Sequence, residues 1–173
     1  MLIELSKLED GRGKIDHVYP QTELDLLDER VSLAADVTAI VKVRRNGAQV
    51  GVEGTVQTIV RVECDRCIKP LDLPVNAEFS LEYLSKDAYE ASQVAELTEQ
   101  EMDVSVFEGD TIDLDEIVRE QILLFVPART LCMENCKGIC LGCGADLNAG
   151  ECGCVITEVD PRWAALKNFK ISE

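Results

Sequence analysis

The stretch "VGVEGTVQTIVRVEC", residues 50–64, decides the fold. Val50, Val52, Gly54, Val56, Thr58, Val60 and Val62 fall on alternate positions and share one face, and a period of two belongs to a strand. Upstream, "VSLAADVTAIVKVRR" (31–45) alternates in part and is rich in valine. Asn46-Gly47 between the two is a hairpin turn signal. Residues 31–64 therefore read as a long hairpin whose second arm runs straight into Cys64. Beyond "CDRC" (64–67), "LDLPVNAEFSLEYL" (71–84) alternates again, and Pro74 places that strand at an edge. The fold class expected is α+β, built on a mainly antiparallel β-sheet.

Further out, the pattern changes. Residues 1–20 are weakly patterned, with a turn at "GRG" (11–13). Residues 85–101, acidic and poor in apolar residues, read as a mobile, solvent-facing loop. "MDVSVF" (102–107) reads as a short strand. Asp113 has the look of a helix N-cap, with Glu116 at the capping-box spacing. Leu114, Ile117, Val118, Ile122 and Phe125 then recur at helical spacing until Pro127, which predicts one central helix over 114–126. In "DPRWAALKNF" (160–169), Asp160 caps and Pro161 opens a short final helix. The expected division is a β-rich domain over 1–130, with a Cys-rich zinc-binding module over 131–173 packed on it.

Eight cysteines stand out: Cys64 and Cys67 at the end of the hairpin, then Cys132, Cys136, Cys140, Cys143, Cys152 and Cys154 within 23 residues. No apolar run reaches the roughly 20 residues that a membrane helix needs. The opening "MLIELSKLEDGRGK" carries no secretory pattern, so a cytoplasmic protein is expected. In a reducing compartment thiols stay reduced or bind metal, which sets disulfides aside. Structural zinc takes four ligands, often thiolates delivered in close pairs by tight turns. Eight cysteines in four pairs suit two Zn²⁺ sites. In one partition Cys140, Cys143, Cys152 and Cys154 form a local ribbon-like site, and Cys64, Cys67, Cys132 and Cys136 form a long-range clasp. The rival partition groups Cys132, Cys136, Cys140 and Cys143, or uses a single ion.

Two other thiol chemistries fit less well. The Cys136, Cys140, Cys143 spacing matches that of radical enzymes holding an iron–sulfur cluster, but only 30 residues follow Cys143 and such enzymes need a large barrel there. A redox C-x-x-C normally opens a helix within a βαβ unit, whereas "CDRC" ends a β-rich run. Elsewhere there is no nucleophile elbow, zinc-protease helix or phosphate-binding loop. His17, the single histidine, sits in the weakly patterned start. No catalytic constellation emerges, and no small-molecule substrate is implied.

The formal net charge is −16, which argues against a general nucleic-acid binder. Between Asp72 and Glu116 stand 14 acids and a single base, Lys86. Bases gather instead near the cysteines. Arg61, Arg66, Lys69, Arg129 and Lys137 either offset the charge of thiolate sites or form a rim that touches RNA phosphates.

Taken in order, "VECDRCIKPLDLPV" (62–75), "DLDEIVREQILLFVPARTLC" (113–132), "CKGICLGCGADLN" (136–148), "CGC" (152–154) and "DPRWAALKNF" resemble the YceD-like family, the large ribosomal RNA subunit accumulation proteins. The resemblance covers most of residues 30 to 170. It implies a non-catalytic role in accumulation of 23S rRNA and assembly of the large ribosomal subunit. The implied partner is 23S rRNA or a large-subunit precursor; the charge of the acidic stretch 72–116 suits a further partner, a basic ribosomal protein. The resemblance supplies neither the metal nor the binding surface. A generic zinc-stapled interaction module and a thiol redox enzyme are the alternative readings.

Overall fold

A computed structural model describes residues 1–92 and 104–154. The long alternating stretch forms the longest arms of the fold. Strand β4 (Val37–Asn46) turns at Gly47-Ala48 into β5 (Gln49–Glu63), and β5 turns at 64–69 into β6 (Pro70–Ser85). All fifteen residues of β5 are paired with β6, from Gln49↔Leu84 to Glu63↔Pro70. On the other side, β5 pairs with β4 from Asn46↔Gln49 to Thr38↔Gln57, and a short β3 (Ser32–Leu33) extends that side at Leu33↔Val60.

Two strands join this meander. β2 (Arg12–Tyr19) pairs antiparallel with β4, from Arg12↔Arg44 to Tyr19↔Val37. β7 (Val104–Phe107) pairs parallel with the last four residues of β6. The sheet order is β2-β4-β5-β6-β7. It is mainly antiparallel, as its sequence implies. Its β6–β7 pairing is the exception. Pro74 lies on the part of β6 before the β7 pairing begins, so its ring displaces no ladder bond to β7. Strand β1 (Leu2–Glu4) pairs separately with β8 (Thr111–Asp113).

The two faces of the sheet differ. Val37, Ala39, Val41 and Val43 of β4 and Val50, Val52, Val56, Val60 and Val62 of β5 are buried. Helix α2 (Leu114–Phe125) buries Leu114, Ile117, Val118 and Ile122 in the same core. Its start is capped as expected: the Asp113 carboxylate accepts the Asp115 N–H at 3.0 Å. The opposite face carries charged and polar side chains, the usual state of a one-sided antiparallel sheet.

The weakly patterned residues 1–20 supply β1 and β2. On β2 the inward positions Gly13, Ile15 and His17 are only half-buried and Tyr19 is fully buried, so the alternation is faint in sequence. One expectation is corrected. The acidic segment 85–101 is not a loop throughout: Lys86–Ser92 forms helix α1. The expected final helix at 160–169 lies outside the described residues, as does the rest of the acidic segment from 93. Among the described residues no helix is long and apolar enough to cross a membrane.

Candidate metal centres

The β5–β6 connection presents the first pair of sulfurs. The Cys64 N–H donates to the Lys69 carbonyl (2.9 Å), and the Ile68 N–H folds back to the Cys64 carbonyl (2.9 Å). This tight turn carries Cys64 and Cys67 to one side. The second pair comes from the segment after α2. Asp65 fixes it by two bonds: its N–H reaches the Thr130 carbonyl (2.8 Å), and its carboxylate accepts the Thr130 N–H (2.6 Å). The Arg66 guanidinium donates to the Cys136 carbonyl at 2.6 Å. Cys64 Sγ then stands 3.8 Å from Cys136 Sγ, and Cys67 Sγ stands 3.6 Å from Cys132 Sγ. The four sulfurs lie within 4.8 Å of one another, three of them on buried residues.

A second group follows within a short piece of chain. The Cys140 N–H donates to the Ala145 carbonyl (2.8 Å) and the Gly144 N–H to the Cys140 carbonyl (2.8 Å), which repeats the first turn bond for bond. Cys152 and Cys154 complete a set whose sulfurs also lie within 4.8 Å. Here Cys140 is buried, while Cys143 and Cys154 are exposed.

The two groups are bound to each other. The Ile139 N–H donates to the Arg66 carbonyl at 3.0 Å. Gly138 passes so close that a Cβ there would sit 2.8 Å from the same oxygen. Lys69 pairs with Asp146 at 2.6 Å. That contact is the largest of the causes that hold the Asp146 carboxyl down at about 2. Asn148 reaches furthest across: its amide donates to Cys136 Sγ at 3.4 Å while its oxygen accepts the Lys137 N–H at 2.8 Å.

Both sets fit a tetrahedral thiolate site. A zinc–sulfur bond of about 2.3 Å puts sulfurs about 3.8 Å apart, whereas a disulfide needs about 2 Å. The sulfurs also meet N–H donors of the kind that stabilise thiolate: Cys132 N–H to Cys64 Sγ and Gly142 N–H to Cys140 Sγ, each 3.4 Å. Burial pushes the Cys64 thiol up, but the N–H groups of Arg66, Cys132 and Cys67 outweigh it and bring it down to about 6. The Gly142 and Cys143 N–H groups bring Cys140 to about 6. Burial, joined by the neighbouring thiols, pushes Cys132 up to about 12; the Cys143 side chain is the first cause that pushes Cys154 up to about 12. Each set thus holds some protons loosely and others firmly. A bound cation would take the place of the firmly held ones. Four sulfurs fill a tetrahedron and leave no open position for substrate, so such a site scaffolds rather than catalyses.

The geometry sorts the bases near the cysteines. Arg61 is held in a two-point pair with Asp72 (2.8 and 3.0 Å), its cross-strand neighbour. Arg66 and Lys69 are engaged as above. Arg129 and Lys137 are exposed. His17 is half-buried, with its ring edge-on to Tyr19 at 4.3 Å. The first sulfur group straddles the expected 130/131 boundary. Sequence reasoning did not single out Asp65 or Asn148. A usable signal existed for Asn148, because "D-x-N" two residues after a knuckle forms a local turn: Asp146 accepts from the Asn148 N–H at 2.9 Å.

Comparison with known proteins agrees with the arrangement of residues. The family model described as "Large ribosomal RNA subunit accumulation protein YceD" matches residues 52–170. A protein of Mycobacterium tuberculosis H37Rv is 32% identical over 144 residues, 83% of this chain and 65% of that one. The protein YlbN of Bacillus subtilis is 30% identical over 150 residues, 83% of each chain. A maize protein named large ribosomal RNA subunit accumulation protein YCED homolog 1, chloroplastic, is 27% identical over 141 residues, 68% of this chain and 48% of its own. The chain thus spans less than two thirds of the mycobacterial and maize relatives. No solved structure matches. With its family match running from β5 through both sulfur groups, the chain belongs to the YceD family of large ribosomal RNA subunit accumulation proteins.

Proposed function

We propose that this chain is a non-catalytic factor for accumulation and maturation of 23S rRNA and the large ribosomal subunit, acting in the cytoplasm. We further propose that two Zn²⁺ ions, one per sulfur group, hold its docking surface together. The observation that carries this reading is the family match, which takes in all eight cysteines. The names of the maize and Arabidopsis relatives support it. In this reading the first ion is held by Cys64, Cys67, Cys132 and Cys136, and the second by Cys140, Cys143, Cys152 and Cys154. The partner is 23S rRNA or a large-subunit precursor, with a basic ribosomal protein met by the acidic stretch. Of the cysteine-side rim, Arg61 and Lys69 are ion-paired, Arg66 is tied to the Cys136 carbonyl, and Arg129 and Lys137 have no ion pair among the described residues. Depletion of the chain should lower large-subunit rRNA relative to small-subunit rRNA, and a Cys64→Ser copy should fail to restore it. An unchanged ratio would overturn the reading.

The exposure of Cys143 and Cys154 favours one second reading, thiol redox chemistry. Structural zinc thiolates resist alkylation until a chelator is added; redox thiols alkylate at once in the metal-loaded protein.

A further inference from the structure

The solvated face of the sheet holds an arrangement of charge that the sulfur groups do not explain. Across β5 and β6 the chain places opposite charges in register, Arg61 against Asp72. Across β4 and β5 it does the same with Lys42 against Glu53. Across β2 and β4 it does the reverse: Arg12 faces Arg44, and Lys14 faces Lys42. Directly opposed residues of an antiparallel pair point to the same side, about 5 Å apart, and like charges there are destabilising. The chain has 33 acids against 17 bases, so an acid at one of these positions would be unremarkable. All four side chains are exposed and line one shallow hollow of about 530 Å³.

Two acids answer part of this charge. Lys14 donates to Asp16 at 2.8 Å, and Arg44 donates to Glu53 at 2.6 Å. Arg12 and Lys42 have no ion pair among the described residues, so the patch stays cationic on an acidic molecule. We propose that the Arg12–Arg44 and Lys14–Lys42 rungs of β2 and β4 form a phosphate-contacting surface for the sugar–phosphate backbone of RNA. The proposal rests on the reading that the chain acts on ribosomal RNA, and it places the contact on the sheet rather than beside the cysteines.

The chemistry of the patch selects the occupant. Phosphate contacts need only cations and hydrogen-bond donors on an accessible face. A protein partner would need a desolvated anchor, commonly aromatic, and none lies in either rung. Alternate residues on one strand repeat every 6.6–6.8 Å or so, a spacing suited to a regularly charged chain. With a net charge of −16 pushing the polymer away elsewhere, binding should be local and steeply dependent on salt.

The test uses the full, zinc-loaded chain and fluorescence anisotropy with a labelled oligouridylate and a labelled RNA duplex across a salt series. Arg12→Gln/Lys42→Gln should weaken binding about tenfold and flatten the slope of log affinity against log salt by about 1.4, the value for two lost single-strand phosphate contacts. Lys7→Gln/Lys86→Gln, with the same change of charge on cations paired to Glu4 and Glu108, should leave both unchanged. Thermal denaturation of the first variant should show equal or higher stability, since a like-charge opposition is gone. If the wild type binds and the first variant matches it, the location is wrong while the ribosomal reading stands. If the wild type binds neither RNA, direct RNA contact is wrong altogether. If polyglutamate competes as well as RNA at equal charge, the commitment to RNA is wrong.

Discussion

Ile68 and Gly144 occupy the same place in two copies of one turn. Each donates its N–H to the carbonyl of the cysteine four residues earlier, at 2.9 and 2.8 Å, and each has a positive φ, +60° and +75°. Glycine takes that conformation freely, whereas a β-branched residue does so at a cost of order 1–2 kcal/mol. Ile68→Gly should therefore raise stability by about 1 kcal/mol and leave the zinc content unchanged. Gly144→Ala should lower stability by about 1 kcal/mol, purely through the backbone, because nothing lies within 4 Å of an added Cβ. Thermal and denaturant unfolding of the two variants would check both signs.

The two sulfur groups differ in what they join. The first links the β5–β6 tip to the segment after α2, across 72 residues between Cys64 and Cys136, and the second closes on itself. Cys136→Ser should cost about 4 kcal/mol or more and loosen everything after α2. Cys143→Ser should leave the sheet intact and lose one ion. A chelator should strip the exposed second site before the first, seen as two phases of zinc release against a chromophoric indicator.

Asn148 serves both groups at once, so it is a positioning residue for the first site from within the second. Asn148→Ala removes the amide that donates to Cys136 Sγ and the acceptor of the Lys137 N–H. Loss of such an outer contact typically costs 10- to 100-fold in metal affinity. The loss should fall on the first site's affinity, read by competition with a chelator, with the Cys140 site still loading normally.

The thiols set the pH response. Cys64 and Cys140, lowered to about 6 from an ordinary 9.0, contribute stability that is complete above pH 9 and lost as pH falls toward 6. Cys132 and Cys154, raised to about 12, contribute stability that is complete below pH 9 and lost as pH rises toward 12. The metal-free protein should therefore be most stable near pH 9. Zinc loading near neutral pH should release protons, among them those that Cys132 and Cys154 hold firmly, measurable with a weakly buffered indicator.

The sheet core was legible because β5 alternates without a break and the Asn46-Gly47 signal fixes where β4 ends. Strand β2 was not, because its inward positions Gly13, Ile15 and His17 lie at a half-buried margin and only Tyr19 at its end is fully buried. The parallel β6–β7 pairing leaves no local mark at all, since it depends on where an intervening segment returns the chain. Helix α1 was hidden by acidic composition, which reads alike in a solvated helix and a loop. Spacing alone showed that the cysteines come in pairs. It left open whether Cys132 and Cys136 join Cys140 and Cys143 or reach back to Cys64 and Cys67. That choice is made by Asp65 and Arg66, whose bonds to Thr130 and Cys136 draw the two distant segments together.

Elemental analysis of protein purified without added metal tests the scaffold most directly. Two zinc ions per chain are expected, falling to one in Cys143→Ser. No bound metal, with the protein still fully folded, would contradict the account, as would iron in place of zinc.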